Sequence, residues 1–211
     1  MGSYSVEAID LNKTFGRRLI FNHISFCFDE NGIYGISGPN GSGKSTLVKI
    51  ISGLISPSKG NLVHLGDGKK IISEKLHNHI GFVSPYLVLY EEFSAWENLE
   101  HFSSIRGISL DAEYANDLLN RFLLYSRRDD LVKTYSSGMK QRMKFIFSLI
   151  HRPQLLIFDE PTSNLDDEGK ESVYRIINEQ EEQSIVIVAS NDKTDLGLCS
   201  SVLDLEAYKE I

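Results

Sequence analysis

The stretch Gly38-Pro39-Asn40-Gly41-Ser42-Gly43-Lys44-Ser45-Thr46 lies between an apolar run at 33–36 and the helix-like Leu47-Val48-Lys49-Ile50-Ile51. Strand, glycine loop and helix start, in that order, form the context in which G-x-x-x-x-G-K-[ST] carries chemical meaning. Glycines let the backbone turn tightly with its N–H groups aimed inward, so Asn40, Gly41, Ser42, Gly43 and Thr46 belong to an anion-binding nest at the positive end of a helix dipole. Lys44 adds a point charge for β- and γ-phosphates, and the Ser45 hydroxyl is a hard oxygen ligand for Mg²⁺. The competing reading is a glycine-rich turn that matches by accident. From average residue usage the pattern arises by chance in roughly one chain in a hundred of this length. The stretch implies a nucleoside triphosphate site.

Downstream, Leu155-Leu156-Ile157-Phe158 is an apolar strand ending in Asp159-Glu160. By itself this would read as a solvated acidic turn after a buried strand. Placed beside the glycine-loop strand, Asp159 can hold the metal directly or through water, and Glu160 can polarise a water for in-line attack on a γ-phosphate.

The rest of the chain fits one α/β unit. Its 211 residues are enough for a proper core, 41% are hydrophobic, and the net charge of −7 argues against a general nucleic-acid footprint. Cys27 and Cys199 are far apart without metal-ligand spacing, which suits two reduced thiols. The longest apolar runs, such as 155–158 and 185–189, are far shorter than the roughly twenty residues of a spanning helix. Residues 1–10 lack a secretory signal's basic flank and apolar centre, so a cytoplasmic chain is expected. Strands are predicted over 4–11, 20–28, 61–65, 80–83, 155–158 and 185–189, with a hairpin at Gly66-Asp67-Gly68. From Ser94 to about His151 apolar residues recur at helical spacing: Leu99, Phe102, Ile105, then Ala115, Leu118, Leu119, Phe122 and Leu123. The expected fold is a nucleotide-binding α/β core (1–85 and 152–211) with a mostly parallel sheet and an N-terminal antiparallel β region. A helical subdomain (86–151) is inserted into it.

Together these motifs resemble the ATP-binding-cassette (ABC) ATPases, over essentially the whole chain. In that family an aromatic residue stacks on adenine, which the resemblance assigns to Phe15. Residues 38–46 match its Walker A loop, and Asp159 and Glu160 match Walker B and the adjacent glutamate. Tyr135-Ser136-Ser137-Gly138-Met139 is similar to the signature loop L-S-G-G-Q, and Ser163-Asn164-Leu165-Asp166 matches the D-loop. Physically, Ser136 and the N–H groups of Ser137, Gly138 and Met139 can open a helix, whose N-terminus is a ready phosphate site. Equally, Ser136 can be the cap of a core-packing helix with the apolar stripe Met143, Ile146, Phe147 and Ile150. The resemblance implies that this loop and Asp166 face ATP bound by a second copy, in a head-to-tail homodimer or a heterodimer with another ABC ATPase.

Two family residues are missing. A glutamine is expected after the strand at 80–83, where this chain has Ser84-Pro85-Tyr86; no glutamine occurs before Gln141. A histidine is expected after 185–189, where this chain has Ser190-Asn191-Asp192. Asn191 can donate a neutral hydrogen bond but cannot become cationic. With Glu160 retained, slow Mg²⁺-dependent ATP hydrolysis is expected. The resemblance further implies an ATPase subunit peripheral to the cytoplasmic face of a membrane, docked on an integral permease through residues 86–96, with Tyr86, Leu87, Leu89, Tyr90, Phe93 and Trp96. The competing reading is that most of these side chains pack the helical arm, and for Phe93 and Trp96 the two readings stand level. The alternatives are a non-hydrolysing ATP switch and a soluble non-transport member. No nucleic-acid partner is expected.

Overall fold

The computed structural model describes residues 3–209, so the outermost positions of the expected domain, 1–2 and 210–211, lie outside it. β1 (Tyr4–Phe15) and β2 (Arg18–Phe28) form a long hairpin, followed by β3 (Gly32–Ser37) and α1 (Lys44–Ile51). β4 (Lys59–Gly66), the two-residue β5 (Lys69–Lys70) and α2 (Ser73–Leu76) lead to β6 (Ile80–Val83). The helices α3 (Ala95–Ile105), α4 (Ala112–Arg121) and α5 (Ser137–Leu149) come next. The chain then runs through β7 (Leu155–Asp159), α6 (Asp167–Gln180), β8 (Ile185–Ala189), α7 (Lys193–Leu196) and β9 (Ser201–Asp204).

These strands make two sheets. One is antiparallel in the order β2-β1-β4-β5; the other is parallel in the order β6-β7-β8-β3-β9. β7 and β8 are buried along their whole length, which explains their unbroken apolar sequence. β9 escaped the sequence reading because it is a four-residue edge strand whose only apolar residues are Val202 and Leu203. In β1 the alternation Tyr4, Val6, Ala8 breaks at Asp10, which has φ 53° and marks a register shift; Leu11 is thereby returned to the core. Gly60 crosses that bulge so closely that a Cβ would sit 2.2 Å from the Asp10 carbonyl oxygen. At the β4–β5 turn Asp67 and Gly68 both have positive φ, as a two-residue hairpin of the favoured twist requires.

Two apolar clusters hold the layers. One joins Phe21, Ile24, Leu47, Ile51, Leu155 and Ile187 between the sheets and around α1. The other joins β7 and β8 to the helical segment, with Phe145 stacked on Phe122 and 5.0 Å from the Phe158 ring. The expected stripe Met143, Ile146, Phe147 and Ile150 is buried there. Ser94 caps α3 in a reciprocal capping box with Glu97.

Burial also creates a pH liability. His64 accepts or shares a hydrogen bond with the Tyr4 hydroxyl at 2.7 Å, and desolvation lowers its pKa to about 4. His151 is lowered to about 4 by burial and by Arg106. The unfolded chain binds protons that these rings refuse, so their contribution is complete above the ordinary histidine pKa and is lost as pH falls towards 4. Each ring should cost roughly 1–3 kcal/mol of stability across that window. Urea unfolding at about pH 7.5 and about pH 4.5 measures it. The difference should shrink in His64→Gln, and a flat profile would contradict it.

Candidate active site

Parallel strands aim their carboxyl ends at one rim, and in open α/β sheets ligands bind there. Here β3 delivers the glycine loop, β7 delivers Asp159 and Glu160, β8 delivers Ser190 and Asn191, and β6 delivers Ser84, Pro85 and Tyr86. Contrary to the sequence expectation, β7 is not beside the glycine-loop strand; β8 lies between them. Asp159 nevertheless reaches the loop, because α1 packs across both β7 and β8.

At the start of α1, Gly43 has φ 111° and a Cβ there would lie 2.7 Å from Ile20 Cγ2, so only glycine fits. The helix opens with no side-chain cap and no acidic residue in its first turn, leaving its positive end available to an anion. Lys44 is buried; its Nζ donates to the Gly38 carbonyl at 2.8 Å and lies 3.3 Å from Glu160 Oε1. Ser45 Oγ donates to Asp159 Oδ1 at 3.1 Å. Asp159 is 1% exposed and its Oδ2 has no partner. Burial pushes its carboxyl pKa up, opposed by the Ser45 hydrogen bond. A partnerless buried carboxylate oxygen beside a hydroxyl suits Mg²⁺, which keeps several waters and takes few protein ligands. Among the described residues no cluster of three or more His, Cys, Asp or Glu side chains offers an all-protein metal cage.

Glu160 adopts φ 51° while its N–H donates to the Ala189 carbonyl at 2.8 Å, and its side chain is 28% exposed. Asn191 Nδ2 donates to Asn40 Oδ1 at 3.3 Å across the rim. These groups wall a cavity of about 610 Å³, with Gly41, Gly43, Thr46, Ser163 and Asn164, and with Phe15 at its mouth. Ser42 is buried beneath the loop, with a partnerless Oγ. Arg18 and Ile20 also line the cavity; sequence reading missed them because the β1–β2 turn, not a motif, brings them there.

Other candidate residues lie elsewhere. Ser136 caps α5 by accepting the Met139 N–H at 3.2 Å; Ser136 and Ser137 are exposed, and with Gly138 and Met139 they lie outside the cavity. Gly138 abuts the chain's own Asn164, whose carbonyl would be 3.4 Å from a Cβ. Asp166 caps α6, accepting the Gly169 N–H at 2.9 Å. Where a glutamine was expected, Pro85 lines the cavity but has no donor, and Ser84 Oγ accepts the Tyr86 N–H at 3.3 Å. Lys144 of α5 donates to the Pro85 carbonyl at 2.9 Å.

A second hollow of about 380 Å³, mostly apolar, runs between the parallel sheet and the helical segment past Leu54, Ile80, Phe82, Leu87, Phe102 and Phe147. Tyr86 borders both this groove and the cavity, with Lys49 Nζ 4.9 Å from its ring centre. Of residues 86–96, Tyr86, Val88 and Tyr90 are exposed, whereas Leu89 is buried and Trp96 packs on the helical core under Arg128. Part of the apolar character of that stretch is thus core packing, and part is exposed surface. No helix among the described residues is long and apolar enough to cross a membrane.

Comparison with known proteins agrees with this geometry. The family model described as ABC transporter matches residues 21–163. The uncharacterized ABC transporter ATP-binding protein YdbJ of Bacillus subtilis is 35% identical over 199 residues, covering 93% of this chain and 64% of YdbJ. The lantibiotic transport ATP-binding protein SrtF of Streptococcus pyogenes is 34% identical over 182 residues, covering 86% of this chain and 77% of SrtF. Among solved structures, a putative ABC transporter ATP-binding protein from Pyrococcus furiosus superposes with a TM-score of 0.84 at 23% identity, covering 98% of this chain and all of that one, which establishes the likeness of fold. With two-thirds of its length matched by the family model and curated relatives above 30% identity, the chain belongs to the ABC transporter family, among its ATP-binding proteins.

Proposed function

We propose that this chain binds ATP with Mg²⁺ and hydrolyses it slowly as the ATPase subunit of a membrane transporter. The observation that carries the reading is the cluster at one rim: Ser45 on Asp159, the free Asp159 Oδ2, and Lys44 beside Glu160. The glycine-loop N–H groups and Lys44 bind the phosphates, and Phe15 stacks on the base. Ser45 and Asp159 hold Mg²⁺, which when bound supplies charge neutralisation to the phosphate oxygens. Glu160 accepts a proton from the attacking water, and Asn191 donates to the γ-phosphate in place of a cationic histidine. Asn191 already points its amide across the rim at Asn40, so a nucleotide need only displace one neutral hydrogen bond.

Asn191→His should raise single-turnover hydrolysis at least about tenfold, since one positioned transition-state donor is worth about 100- to 1000-fold where measured. Hydrolysis of a stoichiometric labelled ATP, compared between this variant and the unmodified chain, is the test. Tight ATP binding without turnover in both would favour the reading as a non-hydrolysing switch, for which the neutral Asn191 already argues.

The exposed, capped start of α5 supports a head-to-tail dimer in which Ser136, Ser137, Gly138, Met139 and Asp166 complete the partner's site, whether the partner is identical or a different ABC ATPase. The groove, bordered by Tyr86 and Leu87 and followed in the chain by the exposed Val88 and Tyr90, is suited to a short helix of a permease, which would hold the chain at the cytoplasmic face of a membrane. The helical segment, 86–151, then acts as the arm that links docking to the site. Lys144 ties it to the Pro85 carbonyl.

A further inference from the structure

We infer that Asp195 is a positioning residue for hydrolysis, acting through Ser190 on Glu160 and Asn191; the inference rests on the ATP-binding reading above. Asp195 sits in α7, is 1% exposed, and lies outside the cavity. Its Oδ2 accepts from Ser190 Oγ at 2.7 Å, and its Oδ1 accepts from Thr162 Oγ1 at 2.9 Å and Tyr174 OH at 2.8 Å. One carboxylate therefore locks three segments: the turn after Glu160, the turn carrying Asn191, and the helix α6. Ser190, itself fully buried, also accepts the Asp192 N–H at 3.0 Å, which fixes the turn around Asn191.

The geometry also settles where one proton goes. Ser190 Oγ lies 2.7 Å from Asp195 Oδ2 and 3.5 Å from Glu160 Oε2, and a hydroxyl has a single proton to donate. The shorter bond takes it, so Glu160 is left without a donor from this side and keeps its lone pairs for a water. An amide at 195 reverses that arrangement. Its NH₂ group would donate to Ser190 Oγ, and the released Ser190 proton would turn to Glu160, occupying the oxygen meant for the water.

The test is Asp195→Asn, alone and combined with Ser190→Ala, read by single-turnover hydrolysis and by equilibrium affinity for ATP and for ADP. Asp195→Asn should slow hydrolysis by about 100-fold, the cost of a small displacement of reacting groups, with ADP affinity within about twofold of the unmodified chain. Adding Ser190→Ala should recover part of the rate, because the misdirected hydroxyl is gone; a merely structural defect would deepen instead. Should the unmodified chain bind ATP without turnover, the hydrolysis reading and the role through Glu160 fail, while the positioning of Asn191 by Asp195 is still decided, by whether Asp195→Asn lowers the preference for ATP over ADP. Unchanged rate and preference, or an equal loss of ATP and ADP affinity, would overturn it.

Discussion

Glu160→Gln should abolish most hydrolysis, lowering single-turnover rate by about 100- to 10,000-fold, while ATP still binds. The amide is isosteric with the carboxylate, so the turn and its Glu160 N–H bond to Ala189 stay in place. What disappears is the proton acceptor. Two further features sharpen the expectation. Lys44 Nζ lies 3.3 Å from Glu160 Oε1, so the carboxylate competes with a phosphate for the ammonium; without that charge the lysine is freer for the nucleotide. A glutamine also adds no negative charge against the γ-phosphate. ATP affinity should therefore stay level or rise as the rate falls, and a parallel loss of both would show that Glu160 supports the loop rather than the chemistry.

The second large effect is on binding. Lys44→Ala should weaken ATP affinity by roughly 30- to 5000-fold, the 2–5 kcal/mol typical of losing one partner of a buried charged pair. Lys44 is 5% exposed, and its removal leaves the Gly38 carbonyl without this donor and Glu160 facing the polyphosphate without a counter-charge. ADP should suffer less than ATP, because the ammonium serves the outer phosphates. Lys44→Arg should not restore affinity, since a planar guanidinium does not fit a slot built for a compact ammonium. Fluorescent-nucleotide titration of the three proteins checks this. Equal losses for ATP and ADP, or recovery with arginine, would count against it.

Much of this was legible in the chain because the informative residues are contiguous. The glycine loop spells its own backbone geometry, and β7 and β8 announce themselves as unbroken apolar runs because both their faces are covered. The helical segment showed its stripe for the same reason: Met143, Ile146 and Phe147 share one face of α5 with Ile150 at its C-cap. What stayed hidden depends on topology. That β8 separates β7 from the glycine-loop strand is a matter of strand order, which no local pattern encodes. β9 is too short and too exposed to carry a pattern. Arg18 and Ile20 reach the cavity through a hairpin turn, and Asp195 reads as one more acidic residue in a polar stretch until three hydroxyls are seen to converge on it. In the stretch 86–96 the sequence offers both docking and packing of the helical arm, and it is burial that divides the residues: Leu89 and Trp96 face inward and Tyr86, Val88 and Tyr90 outward.

Tyr86 stands at the wall shared by the cavity and the apolar groove, with the Lys49 ammonium near its ring. A side chain with two neighbours of this kind makes their occupancies thermodynamically reciprocal. Whatever factor a ligand in the groove applies to nucleotide affinity through that ring, nucleotide must apply to the groove ligand in return. The traffic between the two hollows can thus be measured from either end, and both ends must yield one and the same coupling constant.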